Sequence, residues 1–277
     1  MKRVEIDICE NDKAELFCNL FQYVKVVSES ITIHFLKDEF FVQLMDPSHV
    51  SIMEIRIPST WFTRYDLGEN GEPTTMSINA TILFRVLGSR DKLQTLKMQY
   101  DEEEVKLHIF FEAGNKELKV NNNIIDKEFS ILLMDLQYDI MEIPGDMSYD
   151  AEISLPSSSF ASNVNIMQNF ADTMQIRCSE KNISFHSKGT DTGEMKMTIY
   201  SREDDEEAEE EGQEEEEEEL KLSFSLNYLH NICLYHKIAK EIVLNMKVGF
   251  PMKAVYDLGN DLSILFYLAP KIDDDDM

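Results

Sequence analysis

An aspartate, a serine and a histidine stand within four residues in the stretch QLMDPSHVS, as Asp46, Ser48 and His49. These are the side chains of a hydrolytic triad, in which a base activates a hydroxyl group and an acid orients the base. The three groups of a triad must converge, so they usually come from separate segments. In extended chain, neighbouring side chains point to opposite faces, and Ser48 and His49 should diverge. We therefore interpret the stretch as a turn between two strands with a surface role, and predict that the chain is not an enzyme.

The cysteines and histidines lack the spacing of a metal site. The four cysteines form no CxxC pair, and the six histidines include no HExxH motif. We expect no metal, no cofactor and a reducing, intracellular compartment. The chain has no apolar run of about eighteen residues, which predicts no membrane partner. Its N-terminus has no apolar segment of the kind that a secretory signal needs.

The negative charge of the chain is concentrated in two segments. Of the net charge of −27, fourteen acids fall in residues 203–219 and four in residues 273–276, which leaves −9 for the remainder. The longer run repels itself and offers no apolar surface to bury. It is predicted to be a solvated, disordered loop.

One plan recurs four times along the chain, an amphipathic helix followed by alternating β-branched and aromatic strands. The helices are predicted at 11–25, 77–89, 156–170 and 223–237. This plan predicts an α+β fold of two tandem domains with one topology, each with two helices packed on antiparallel sheets. The predicted boundaries are 1–132 for the first domain, 133–150 for a connecting loop, 151–272 for the second domain and 273–277 for an acidic tail.

Acidic residues are missing from three of the helical regions. Segments 77–90, 153–171 and 220–240 contain no Asp or Glu, although the chain average would place about ten acids in them. Ser and Asn could simply fill solvated helix faces, but Glu forms helices better. The absence of acids from helices in both halves favours a negatively charged partner, and a nucleic-acid backbone is the main candidate.

Four stretches carry a resemblance to a known family: LMDPSHVSI, LLMDLQYDIMEIP, FSLNYLHNI and FYLAPKIDDDD. The chain resembles the proliferating cell nuclear antigen family, the eukaryotic and viral DNA sliding clamps. The resemblance implies two domains of DNA-clamp topology per subunit, assembled into a homotrimeric ring whose helices surround duplex DNA. It implies a polymerase processivity factor in DNA replication and repair, served by a clamp loader. The expected location is the nucleus or the replication compartment of a DNA virus.

The resemblance also implies a hydrophobic pocket for DNA polymerase and other clients, which insert a short motif with aliphatic and aromatic anchors. Such a pocket would concentrate binding energy in a few anchors, and its methionines would adapt to several clients. The residues carried over to it are Met45, His49, Val50, Met141, Ile143, Pro144, Pro251, Tyr267, Ala269 and Pro270.

Two further surfaces follow from the resemblance. The helices would face DNA sequence-independently, with fewer positive charges than the family usually carries, which predicts weak and less salt-sensitive binding. The DNA-facing residues would be Lys25, Arg85, Arg90, Asn165, Asn169, His230 and Lys237. An apolar edge strand would pair between subunits, with Phe129, Ile131 and Leu133 on one side and Met195, Met197 and Ile199 on the other.

Two other functions remain open from the sequence. The net charge of −27 also suits an acidic chaperone or DNA mimic that binds basic partners, although such a protein should expose acids on its helices. The small number of basic residues on the helices suits a divergent clamp subunit that does not encircle DNA alone, or that works in a heteromeric ring.

Overall fold

The computed structural model describes residues 3–68, 71–101, 103–114, 124–136, 140–144, 147–179, 181–200 and 220–272. The predicted disordered loop 203–219 and the acidic tail lie outside these ranges. The chain forms two compact units, one of Met1–Ile143 with Asp257–Leu265 and one of Pro144–Tyr256 with Phe266–Met277. The boundary between Ile143 and Pro144 falls inside the segment 133–150 that was predicted to connect two domains.

The first unit contains two antiparallel sheets. Its strands are β1 (Arg3–Ile8), β2 (Ser30–Phe35), β3 (Glu39–Met45), β4 (Ser51–Pro58), β5 (Arg64–Asp66), β6 (Thr74–Asn79), β7 (Gln94–Asp101), β8 (Lys106–Ala113) and β9 (Lys127–Leu132). One sheet has the order β5-β1-β7-β8-β9, and β4-β3-β2-β6 are neighbours in the other. Alternating residues of these strands are buried, as in β1 and β7, which is the two-residue period of a sheet with one solvated face.

Among the described residues, three α-helices cover the first unit, α1 (Asn11–Leu20), α2 (Val24–Val27) and α3 (Ala80–Leu87), and a 3-10 turn spans Ser59–Trp61. The prediction of one helix from 11 to 25 is wrong, because α1 ends at Leu20 and the chain resumes a short helix at Val24. The N–H of Gln22 donates to the carbonyl of Asn19, three residues back, at 3.2 Å, and this tighter last turn ends α1. The core beneath α1 is aromatic, with the rings of Phe17 and Phe21 centred 4.9 Å apart.

The second unit follows the same plan. Its strands are β10 (Ala151–Pro156), β11 (Thr173–Cys178), β12 (Asn182–Gly189), β13 (Gly193–Tyr200), β14 (Leu220–Ser225), β15 (Glu241–Met246) and β16 (Met252–Asp257), and the last strand of the chain is β17 (Ser263–Leu268). The orders are β10-β15-β16 and β13-β12-β11-β14. The helices are α4 (Ser157–Met167) and α5 (Leu226–Cys233), which continues as a 3-10 turn over Leu234–Lys237.

The hydrophobic core of the second unit lies under α4 and α5. Phe160 of α4 meets Phe185 of β12 edge-on, with 5.9 Å between the ring centroids. Tyr256 is fully buried, and its hydroxyl donates to the carbonyl of Ile232 at the end of α5, at 3.0 Å. Helices on antiparallel sheets in two tandem units confirm the predicted α+β class.

Candidate functional site

Asp46 organises the turn between β3 and β4. Its side chain is 7% exposed, and its carboxylate accepts the backbone N–H groups of Ser48 and Val50, each at 2.8 Å, and of Ser51 at 2.5 Å. Charge-assisted hydrogen bonds of this kind are stronger than neutral ones. The carboxylate that would have oriented a catalytic histidine therefore holds the backbone of the loop.

His49 occupies a strained position at the tip of this turn. Its φ is 58°, in the left-handed region that most side chains avoid, and its N–H donates to the carbonyl of Asp46 at 3.0 Å. The side chains of Ser48 and His49 are exposed. The arrangement is that of a rigid turn presenting side chains outward.

A cavity of about 430 Å³ opens beside this turn, within the first unit. Its apolar wall includes Leu44, Met45, Ile52 and Met141, and its polar wall includes Ser28, Ser30 and Thr32, with Asp46, Pro47 and His49 at the turn and Gln43 beside the connecting segment. A mainly apolar cleft with a few placed polar groups is the usual form of a binding site.

Gln43 joins β3 to the connecting segment. Its side-chain nitrogen donates to the carbonyl of Met141 at 2.9 Å, and its side-chain oxygen accepts the N–H of Met141 at 2.7 Å. The same nitrogen donates to Glu54, which is 2% exposed and also pairs with Arg56 at 3.1 Å. Sequence reasoning missed Gln43, because its partners at position 141 are backbone atoms.

A second attachment holds the start of the connecting segment. The hydroxyl of Ser77 in β6 donates to the carbonyl of Leu136 at 2.9 Å, and the N–H of Met134 donates to the carbonyl of Ser77 at 2.8 Å. The segment is thus hydrogen-bonded to the first unit at Met134, Leu136 and Met141, which places Met141 at the cavity.

The cavity gathers three of the ten residues carried over to the client pocket, Met45, His49 and Met141. Val50 is half-buried at the end of the turn, and Ile143 is the last residue of the first segment of its unit. The other five belong to the second unit, where Tyr267, Ala269 and Pro270 are half-buried and Pro144 and Pro251 are exposed.

The cationic side chains on the first unit's helices and just after α3 differ in their exposure and in their contacts. Lys25 and Arg85 are exposed, although the Lys25 ammonium lies 4.0 Å from the centre of the Phe84 ring. Arg90 donates to the carbonyls of Gln94 at 2.8 Å, Asn11 at 3.1 Å and Lys92 at 3.3 Å. Burial lowers the pKa of the Arg90 guanidinium. Arg90 therefore has a structural use that Lys25 and Arg85 lack.

The helix surface of the second unit is made mainly of neutral polar groups. His230 Nδ1 of α5 and Asn165 Oδ1 of α4 lie 2.7 Å apart, and the Asn169 amide donates to the carbonyl of Ile166 at 3.0 Å. Lys237 is exposed on the 3-10 turn. Helices α3, α4 and α5 contain no Asp or Glu.

The two predicted interface segments end their sheets. Strand β9 ends the five-stranded sheet and β13 ends the four-stranded one. Phe129 is half-buried and Ile131 is 4% exposed, while Leu133 follows directly after β9. Met195, Met197 and Ile199 are half-buried along one face of β13. Two long edge strands with apolar side chains are suited to pairing with another chain.

In the part of the chain that the structure describes, no helix is long and apolar enough to cross a membrane. Among the same residues, no group of three or more His, Cys, Asp and Glu side chains is arranged to hold a metal ion.

The sequence matches known proteins along nearly its whole length. The family profile "Proliferating cell nuclear antigen, N-terminal domain" matches residues 9–140, and that of the C-terminal domain matches residues 142–272. The chain is 26% identical to "Proliferating cell nuclear antigen" of Chaetomium thermophilum over 235 residues, covering 85% of this chain and 86% of that protein. It is 24% identical to "Proliferating cell nuclear antigen 1" of Plasmodium falciparum over 275 residues, 95% and 96% of the two chains.

The tandem units and these matches define a DNA sliding clamp, a class of non-catalytic proteins that act in DNA replication and repair. The chain belongs to the proliferating cell nuclear antigen family.

Proposed function

We propose that three copies of this chain close into a ring around duplex DNA and act as a polymerase processivity factor. The observation that carries this proposal is the absence of acids from α3, α4 and α5 in a chain with 53 acidic and 26 basic residues. A surface that meets phosphates must exclude carboxylates even when it carries few cations. Exposed Lys25 and Arg85 would supply positive charge from the first unit, and Lys237 from the second.

The ring would close by pairing β9 of one copy with β13 of the next. Both strands end their sheets, and Leu132 and Tyr200 on them are 72% and 75% exposed. An interface between two different strands is heterologous, and such contacts generate closed rings when the rotation fits. Pairing would cover edges that otherwise promote aggregation.

The cavity beside Met45 would receive the client motif. Polymerase and other clients would insert an aliphatic and two aromatic side chains, and Met45 and Met141 would adapt to them. Tyr267, Ala269 and Pro270, which the resemblance assigns to client binding, would also contact the client. Three such sites per ring would raise the concentration of clients at the template. A clamp loader would open the ring in the nucleus, or in the replication compartment of a DNA virus.

Encirclement is tested by trapping the protein on linear duplex DNA whose two ends are then blocked with streptavidin. A ring that has threaded onto the DNA will stay bound through a wash at high salt, and cleavage of the DNA between the blocks will release it. Binding that the wash removes whether or not the ends are blocked would contradict the ring, because only a topological link resists charge screening.

A further inference from the structure

The four-stranded sheet of the second unit has a face whose charge is opposite to that of the chain. Strands β11 to β14 contain four cationic residues, Arg177, Lys188, Lys196 and Lys221, and one acid, Glu194. Over the whole chain, acids outnumber bases by 53 to 26. This local reversal of charge requires a reason.

The strand register brings these cations to one side. Arg177 lies opposite both Lys221 and Ser184, and Lys196 lies opposite His186. The alternate residues Ile176, Phe185 and Phe224 are at most 1% exposed and form the core side of the sheet. We name the opposite side the basic face; it comprises Arg177, His186, Lys188, Lys196 and Lys221, with Lys271 donating to Thr173 at its border at 2.6 Å.

The basic face is also concave. Arg177, Ser184, His186, Glu194 and Lys196 line a cavity of about 240 Å³. Within it Glu194 Oε2 lies 3.2 Å from His186 Nε2 and 4.0 Å from the Lys188 ammonium. The acid of this sheet thus lies at one end of the face, while Arg177, Lys196 and Lys221 lie toward the other.

The chain leaves and re-enters the sheet at that other end. Tyr200, the last residue of β13, is opposite Asn182, and Leu220, the first residue of β14, is opposite Cys178. Because Cys178 is in turn opposite Ile183, all these residues lie at one end of the sheet. Strands β13 and β14 are its two borders, about 14 Å apart at three strand spacings.

The segment between these strands holds the fourteen acids of 203–219. A chain of this length can span about 60 Å when extended, so a gap of about 14 Å leaves most of it free to reach along the sheet. Its attachment at both borders fixes an effective concentration on the order of millimolar beside the cations. External anions at lower concentration would compete poorly.

We propose that the acidic segment 203–219 docks on the basic face of its own chain. The segment would lie in the positive field of this face and keep duplex DNA and other polyanions off this sheet. DNA contact would then be left to other surfaces. The proposal does not depend on ring formation or on the client site.

The first arm of the test uses a variant in which every acid of 203–219 is replaced by Gln. A fluorescein-labelled peptide EDDEEAEEEGQEEEEEE is titrated into this variant and into the unmodified protein at 50 mM NaCl. The variant should bind the peptide about tenfold more tightly than the unmodified protein, in which the tethered segment competes. Added salt should weaken binding because it screens the charges.

The second arm places charge reversals in the Gln variant. Arg177→Glu with Lys196→Glu should lower peptide affinity at least about tenfold. The milder pair Arg177→Gln with Lys196→Gln should lower it less, and it provides the test if the charge reversal disturbs folding. The matched control is Lys240→Glu with Lys253→Glu, the same change of charge outside this sheet, and it should bind within about twofold of the parent.

Three results would overturn the proposal. One is equal peptide binding by the Gln variant and the unmodified protein, and another is equal loss in the control. The third is a Gln variant that does not bind the peptide but self-associates through Arg177 and Lys196. That result would make the basic face a contact between copies of the chain. Carbodiimide treatment of the unmodified protein gives an independent reading: it should link Lys196 to an acid in 203–219 at low salt and not at 1 M NaCl.

Discussion

The side chain of Gln43 and the backbone of Met141 form a reciprocal pair of hydrogen bonds, 2.9 and 2.7 Å long, across 98 positions of sequence. The pair fixes the connecting segment to the strand that leads into the Asp46 turn. Because Met141, Met45 and His49 line one cavity, Gln43 sets one wall of that cavity without offering an apolar surface to a ligand.

Gln43→Ala should therefore weaken client binding by releasing the wall. Losing both hydrogen bonds to Met141 lowers the free energy that holds the connecting segment in place by about 1–2 kcal/mol. We therefore expect about a tenfold rise in Kd for a client peptide. Calorimetric titration measures the affinity, and amide hydrogen exchange should show faster exchange at Met141. Gln99→Ala is the matched control, since Gln99 contacts Glu5 on the other sheet at 3.2 Å. Unchanged exchange at Met141 would contradict the role of Gln43.

Met45→Ala and Tyr267→Ala test two of the proposed client contacts. Each should raise the Kd of a peptide with one aliphatic and two aromatic anchors about thirtyfold, or about 2 kcal/mol, as expected when a contact with a main anchor is lost. Ile125→Ala is a control, because Ile125 is 72% exposed and remote in sequence from the cavity residues. If neither variant lowers affinity, clients do not bind there.

The elements of the fold could be read from local patterns. The alternating stretch SIMEIRIP is typical of a strand and forms β4, Ser51–Pro58, because alternation of apolar residues is a local property. The break after α1 was missed, since the stripe of apolar residues continues through Val24 while the helix does not. Helix ends depend on tertiary packing as well as on propensity.

Lys25→Glu with Arg85→Glu should reduce processive synthesis by a polymerase held on the clamp. The change removes two exposed cations and places two negative charges against phosphates. The product length per binding event on a primed template is the measurement. Lys97→Glu with Lys106→Glu, on strands β7 and β8, provides the same change of charge on a sheet. Equal processivity of the two double variants would show that the helices do not face DNA.

Acid should destabilise the first unit in part through His34. Burial lowers the pKa of this imidazole below its usual 6.5, so the unfolded chain takes up the proton first. The stabilising effect of a neutral His34 is complete above pH 6.5 and is lost as the pH falls below it. Urea unfolding from pH 7 to pH 5 should show a smaller loss in His34→Gln than in the parent. Identical pH profiles for His34→Gln and the parent would refute this account.

The candidate site was less accessible to sequence reasoning than the fold. Met45 and His49 lie in the stretch LMDPSHVSI, which carries the resemblance, so the sequence sufficed to propose them for the pocket. Gln43 could not be found in this way, because it binds backbone atoms that every residue possesses. The partners of Arg90 are likewise the carbonyls of Asn11, Lys92 and Gln94, so its assignment to DNA, which followed from the resemblance, took no account of these contacts.

Mutation of an interface strand offers a specific disruption of the ring. Met197→Arg places a charge on the apolar face of β13, opposite Phe185 in the register, while Thr198→Arg changes the neighbouring position that faces the other way. The first variant should lose assembly, and the second should lose less of it. Sedimentation at matched concentrations distinguishes them, and equal behaviour would place the interface elsewhere.

The most direct test of the clamp assignment is the mass of the protein in solution, measured by light scattering over a range of concentrations. The chain has a mass of 32.2 kDa, so a ring of three copies predicts about 97 kDa. A mass that stays at one chain across the whole range would contradict encirclement of DNA by this protein alone.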